Sequence, residues 1–183
     1  MDFKTVLELI LKAFNKEDVR YGLIGGFALG VLGLPRATVD LDFLVHRDDL
    51  DKIEEIMKTL GYKCVYRSEN VSQYISELKI FGEVDFLHAF REISLGMLER
   101  AAEKDVFEGK LKIKVLLPED IIGLKLQVQV NDSARVAREF VDIESLLERY
   151  KENLDWGILE DYFVLFGQKE KFLELKDKYY YAQ

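Results

Sequence analysis

The apolar positions along the chain change period several times, and each change marks an element. Phe3, Val6, Leu7, Ile10, Leu11 and Phe14 recur at helical spacing, which predicts an amphipathic helix ending near Asn15. A short apolar strand, YGLIG, then runs into Gly25 and Gly26, and FALGVLG after them reads as a short buried helix. From Arg36 the alternation becomes strict. Ala37, Val39, Leu41, Phe43 and Val45 are apolar, and Arg36, Thr38, Asp40 and Asp42 take the positions between them, which predicts a strand with one apolar and one polar face. Leu50, Ile53, Ile56, Met57 and Leu60 return to helical spacing up to Gly61, with Asp48 or Asp49 as the N-terminal cap.

Strand-like segments follow at YKCVYR, VSQYISEL and KIFGEVDFLHAF. In the last of these, Ile80, Val84 and Phe86 fall on one face and Lys79, Glu83 and Asp85 on the other. A short helix near ISLGMLERA and a hairpin, VFEGKLKIKVLL, turning at Glu108 to Lys110, complete this part. Beyond Pro118 the texture is helical, in the segments PEDIIGLKLQVQV, ARVAREFVDIESLLERY, LDWGILEDYFVLF and EKFLELKDKYYY. The expectation is an α+β fold: a mixed β-sheet flanked by helices over residues 1–116, and a C-terminal helical segment, residues 117–183, packed on that core or counted with it as a single domain.

Composition narrows the function classes. With 183 residues, 49% of them apolar, 12% aromatic and only two prolines, the chain can bury a core and is not expected to be disordered. A formal net charge of -8 argues against a non-specific nucleic-acid binder, although it leaves room for a local basic pocket. The single cysteine excludes an internal disulfide and suits a reducing compartment, and Cys64 is expected to be a buried small hydrophobe. Glu8 and Lys12 interrupt the N-terminal apolar run, and no stretch is long enough for a bilayer span. A cytoplasmic protein with no membrane partner is the expectation.

The candidate chemistry starts at Asp40 and Asp42. Two apart on a strand, they point the same way about 6 to 7 Å from each other. At an effective dielectric near 20 their repulsion is on the order of 2 to 3 kcal/mol, so something must offset it. Solvent or a nearby lysine or arginine would do so, and so would a divalent cation. Oxygen-only ligands suit Mg²⁺ or Mn²⁺. Around this pair stand Gly25 and Gly26, whose bend is either a plain turn or a place where backbone N–H groups approach a phosphate. Arg36 and Thr38 lie on the same predicted face and could grip phosphate oxygens, or Arg36 could simply balance charge. Asp85 is the candidate third acid from a neighbouring strand, with Glu83 as its competitor and edge protection as the plainer role. Lys125, the lone charge between Asp120 and Asp132, either snorkels to water or meets a triphosphate. Arg138 and Asp142 have the spacing of a helix ion pair. His46 and His88 follow their strands and suit structural roles, and the lysines and tyrosines from Lys169 to Tyr181 suit an amphipathic terminal helix, with RNA or a second subunit as the other reading.

Ile24, Gly25, Gly26, a gap of thirteen residues, then Asp40, Leu41, Asp42 and Phe43, resembles the signature of the nucleotidyltransferase superfamily that includes DNA polymerase beta and the minimal nucleotidyltransferases. Together with EVDFL, LPEDIIGLKLQVQV and FVDIESLL, it looks like the AbiEii-like branch, the toxins of type IV toxin–antitoxin systems, over Tyr21 to Leu147. The resemblance implies that Asp40 and Asp42 bind two magnesium ions and that Asp85 binds one of them and helps deprotonate the acceptor. It also implies that Gly25 and Gly26 hold the phosphates of a nucleoside triphosphate, and that Lys125 fills the family's basic position. It further implies an RNA, protein or small hydroxylated acceptor, such as tRNA or an aminoglycoside, and an antitoxin or homodimer partner. The alternative is a catalytically degenerate module of the same fold that binds a nucleotide or a partner.

Overall fold

In the computed structural model, which describes residues 1–34 and 36–181, helix α1 (Phe3–Lys16) opens the chain. Its cap is Asp2, whose carboxylate accepts hydrogen bonds from the Thr5 backbone N–H and hydroxyl. Strand β1 (Tyr21–Ile24) leads into helix α2 (Gly25–Val31), and β2 (Asp40–His46) into helix α3 (Leu50–Thr59). Strands β3 (Tyr62–Arg67), β4 (Val71–Ser76) and β5 (Glu83–Ala89) follow, then helix α4 (Glu92–Arg100) and the hairpin of β6 (Ala102–Val106) and β7 (Leu111–Val115). The described strands form one seven-stranded mixed sheet in the order β3-β4-β5-β2-β1-β7-β6. β2 runs parallel to β5 and antiparallel to β1, and β1 runs parallel to β7.

The chain divides into two compact units, Met1–Leu116 and the residues from Leu117 onward. In the first, α1 lays Val6, Leu7, Ile10, Leu11 and Phe14 into the core. The Phe14 ring lies 5.8 Å from that of Phe43, 5.3 Å from Tyr21 and 6.3 Å from Phe86, and Tyr74 packs edge-on to Phe86. Burying each ring contributes roughly 1.5 to 3 kcal/mol. These aromatics occupy one parity of β1, β2, β4 and β5, so the opposite parity is left for polar groups. The second unit holds helices α5 (Pro118–Asn131), α6 (Val136–Tyr150), α7 (Trp156–Leu165) and α8 (Lys169–Lys176). No helix among the described residues is long and apolar enough to cross a membrane.

Several expectations need correction. β2 begins at Asp40 and not at Arg36, leaving Val39 78% exposed. The alternation runs past the point where β1 and β5 offer backbone to pair with, since their registers with β2 reach no further than Ile24↔Asp42 and Asp40↔Glu83. β5 likewise begins at Glu83, and Ile80 lies exposed in the preceding turn. Cys64 is exposed because β3 is an edge strand. Asp49 makes no side-chain cap. It is buried against Arg20, accepting from its backbone N–H at 3.0 Å and its Nε at 2.8 Å, and takes Lys52 at 3.1 Å. Burial alone would raise its carboxyl, and these donors more than reverse that, lowering it to about 2.

Candidate active site on the polar face of the sheet

Asp40 and Asp42 open β2 on the parity opposite the aromatic core, and the neighbouring strand matches them residue for residue: Asp40 with Glu83 and Asp42 with Asp85. Paired residues of adjacent strands point to the same side about 5 Å apart, so four acids share one end of this face. Asp42 also pairs with Ile24 on β1, directly before the diglycine bend.

That bend is built around the acid. Gly25 sits at φ +69°, in the left-handed region, and a Cβ there would overlap the Asp42 carboxylate, lying only 2.6 Å from its Cγ. Gly26 is equally constrained, because its Cβ would lie 2.8 Å from both Cβ and Oγ1 of Thr38. Thr38 in turn donates its hydroxyl to Asp40 Oδ1 at 2.5 Å. The structure thus brings Gly25, Gly26, Thr38, Asp40 and Asp42 into one contiguous cluster, although Thr38 and Arg36 belong to the segment before β2 and not to the strand. Arg36 is half-buried in that segment.

Asp85 carries a neighbour that sequence reasoning missed. Gln73 of β4 donates its side-chain amide to Asp85 Oδ2 at 3.1 Å, while Oδ1 is buried and, among the described residues, has no hydrogen-bond partner. Burial raises the Asp85 carboxyl above its ordinary value, Gln73 opposes the rise, and the charges of Glu83 and Asp40 add to it.

The remaining candidates fall elsewhere. Lys125 lies on α5 of the second unit, where its ammonium donates to Glu139 Oε2 at 2.7 Å and Asp142 Oδ2 at 2.5 Å. Asp142, for which the sequence suggested Arg138 one turn earlier, receives Lys125 from another helix. His88 stands inside β5 on the core parity, with Nδ1 3.0 Å from the Glu69 carbonyl and Nε2 3.0 Å from Ser72 Oγ. His46 ends β2 and accepts from the Asp48 backbone N–H through Nδ1. In the terminal segment, Lys178 pairs with Glu144 at 2.8 Å and Lys171 lies over the Phe140 ring.

Does the cluster suit a hard divalent cation? Its donors are all oxygen, and the buried Asp85 Oδ1 is an acceptor that no protein group claims, which are the properties such an ion requires. Among the described residues, however, no three His, Cys, Asp or Glu side chains are gathered into a ready-made cage. Asp40 is turned onto Thr38, and Asp85 is shared with Gln73.

A mixed sheet with helices on it, carrying acid, apolar, acid on a central strand beside a Gly-Gly bend, is the nucleotidyltransferase fold. Residues 3–165 match the family described as uncharacterised nucleotidyltransferase, and the chain belongs to that family. No curated protein matches the sequence. Among solved structures, the fold is similar to that of ANT(2'')-Ia in complex with adenylyl-2''-tobramycin, with a TM-score of 0.66 and 15% identity over 91% of this chain and 97% of that one. The lincosamide antibiotic adenylyltransferase LnuA, lincomycin-bound, gives 0.55 and 18% over 78% of this chain and 94% of that one. An antigenic nucleotidyltransferase-like protein from Paracoccidioides brasiliensis gives 0.57 and 18%, covering 96% and 92% of the two chains.

Proposed function

We propose that the chain is a divalent-metal-dependent nucleotidyltransferase that moves a nucleoside monophosphate from a nucleoside triphosphate to a hydroxyl of a small molecule. The observation that carries this reading is the Asp42 carboxylate seated against a left-handed Gly25, in register with the half-satisfied Asp85. Asp40, Asp42 and Asp85 would hold Mg²⁺ or Mn²⁺, which supplies charge neutralisation for the triphosphate. Gly25 and Gly26 would present backbone N–H groups to its phosphates, with Arg36 and Thr38 beside them. The acceptor oxygen attacks the α-phosphorus, and the bond from that phosphorus to the oxygen bridging toward the β-phosphorus breaks. Pyrophosphate leaves with the electron pair, and the acceptor proton passes to the Asp85 carboxylate.

The net charge of -8 favours a cationic small acceptor over RNA, and structures of this fold in complex with adenylyl-2''-tobramycin and bound to lincomycin support the same direction. Asp40→Asn changes charge with little change of shape. It should lower pyrophosphate release by at least about 100-fold while leaving the melting temperature near that of the wild type. Undiminished release in that variant would remove the reading. The AbiEii-like resemblance extends the proposal to a toxin with an antitoxin partner. Growth arrest on expression that Asp40→Asn relieves supports the extension, and normal growth removes it.

A second reading, a nucleotide-binding module without turnover, draws on Asp40 being engaged by Thr38 and on the absence of a ready-made cage among the described residues. Calorimetric binding of a nucleoside triphosphate, with no pyrophosphate released to any small-molecule or RNA acceptor, would favour it.

A further inference from the structure

The polar face has a member to which the reading above gives no task. Gln73 lies across from Asp85 in the β4–β5 register and gives its amide N–H to Oδ2, so that among the described residues Oδ1 is the carboxylate oxygen without a protein partner. Its own placement is fixed from the other side of the sheet. Ser72 and Tyr74, on either side of it in β4, are buried on the core parity, Ser72 against the His88 ring and Tyr74 against Phe86 with ring centroids 5.6 Å apart. A strand residue anchored at both neighbours holds its side chain in a narrow range of directions.

We propose that Gln73 is a positioning residue: it locks the Asp85 carboxylate by bonding to one lone pair of Oδ2 and thereby presents Oδ1 to the catalytic cation, leaving the second lone pair of Oδ2 for the acceptor proton. The inference rests on the metal-dependent reading above. The choice of side chain has a physical reason. A lysine or arginine in the same place would orient Asp85 as well, but it would also neutralise the carboxylate and repel a divalent ion. A neutral amide orients the group and leaves its charge available. Leucine at position 73 would leave Oδ2 without the Gln73 donor and free the Asp85 side chain to rotate.

The test compares Gln73→Leu, Gln73→Lys, Asp85→Asn and the wild-type chain. Mn²⁺ binding is followed by water-proton relaxation with each α,β-methylene nucleoside triphosphate in turn, and folding by thermal melting. Gln73→Leu is expected to bind Mn²⁺ roughly 10- to 100-fold more weakly, the usual cost of removing a group that orients a ligand. Gln73→Lys is expected to melt at or above the wild-type temperature yet bind Mn²⁺ at least as poorly as Gln73→Leu, an outcome a merely structural role would not produce. Wild-type Mn²⁺ affinity in either folded Gln73 variant, with Asp85→Asn weakened, overturns this inference and leaves the metal reading standing. Wild-type affinity in Asp85→Asn, or no Mn²⁺ binding by the wild type, overturns both. Failure of both Gln73 variants to fold makes the residue structural and overturns the inference alone.

Discussion

A methyl group at Gly25 has nowhere to go. It would overlap the Asp42 carboxylate, and φ +69° is strained for any side chain. Gly25→Ala should therefore lose about 1 to 3 kcal/mol in denaturant unfolding and displace Asp42 at the same time, so that transfer activity falls by more than the stability loss explains. An alanine variant with wild-type stability and activity would contradict the packing described. At this scale the sequence was informative where chemistry and spacing coincide, as at Gly25, Asp40 and Asp42. It was silent about Gln73, whose partner is set by strand register, and misleading about Cys64, whose exposure follows from β3 being at the sheet edge.

Buried polar contacts tie elements together within each of the two units, and one from each gives a measurable prediction. His88 joins β5 to Ser72 of β4 and to the Glu69 carbonyl in the connection before it. Burial lowers its pKa below 6.5, a trend the Glu69 carbonyl opposes and the charges of Arg67 and Arg47 reinforce. The unfolded chain then takes up a proton at a higher pH than the folded one. The stabilisation is full above about pH 6.5 and is lost as pH falls through the lowered folded value. Denaturation midpoints between pH 8 and pH 5 should drop more for the wild type than for His88→Gln, and equal slopes would refute this role. In the second unit, burial pushes the Glu139 carboxyl up, and the Lys125 and Arg135 donors outweigh it, leaving the group below its ordinary value. Lys125→Met would remove one donor from Glu139, which keeps Arg135, and one from Asp142, and should cost about 1 to 3 kcal/mol in urea unfolding. A loss under 1 kcal/mol would mean that the ion cluster is not stabilising.

For the whole molecule, the charge of -8 acts on any ligand that approaches. A cationic acceptor would be drawn in, so its kcat/KM should fall several-fold as ionic strength rises from low to high, because added salt screens the attraction. A polyanionic acceptor would show the opposite trend. Steady-state kinetics across a salt series separates the two, and an increase with salt would count against the cationic acceptor.

Periodicity by itself determined the elements and their order, because the 3.6- and 2-residue repeats belong to each segment's own backbone geometry. The two-residue spacing within Asp-Leu-Asp likewise placed the acids on one face of one strand. Where each strand begins, which acid stands beside Asp42, what holds Asp85, and where Lys125 spends its charge were decided only by tertiary structure. Those depend on the pairing of backbones and side chains far apart in sequence, and no local repeat encodes which distant strand becomes the neighbour.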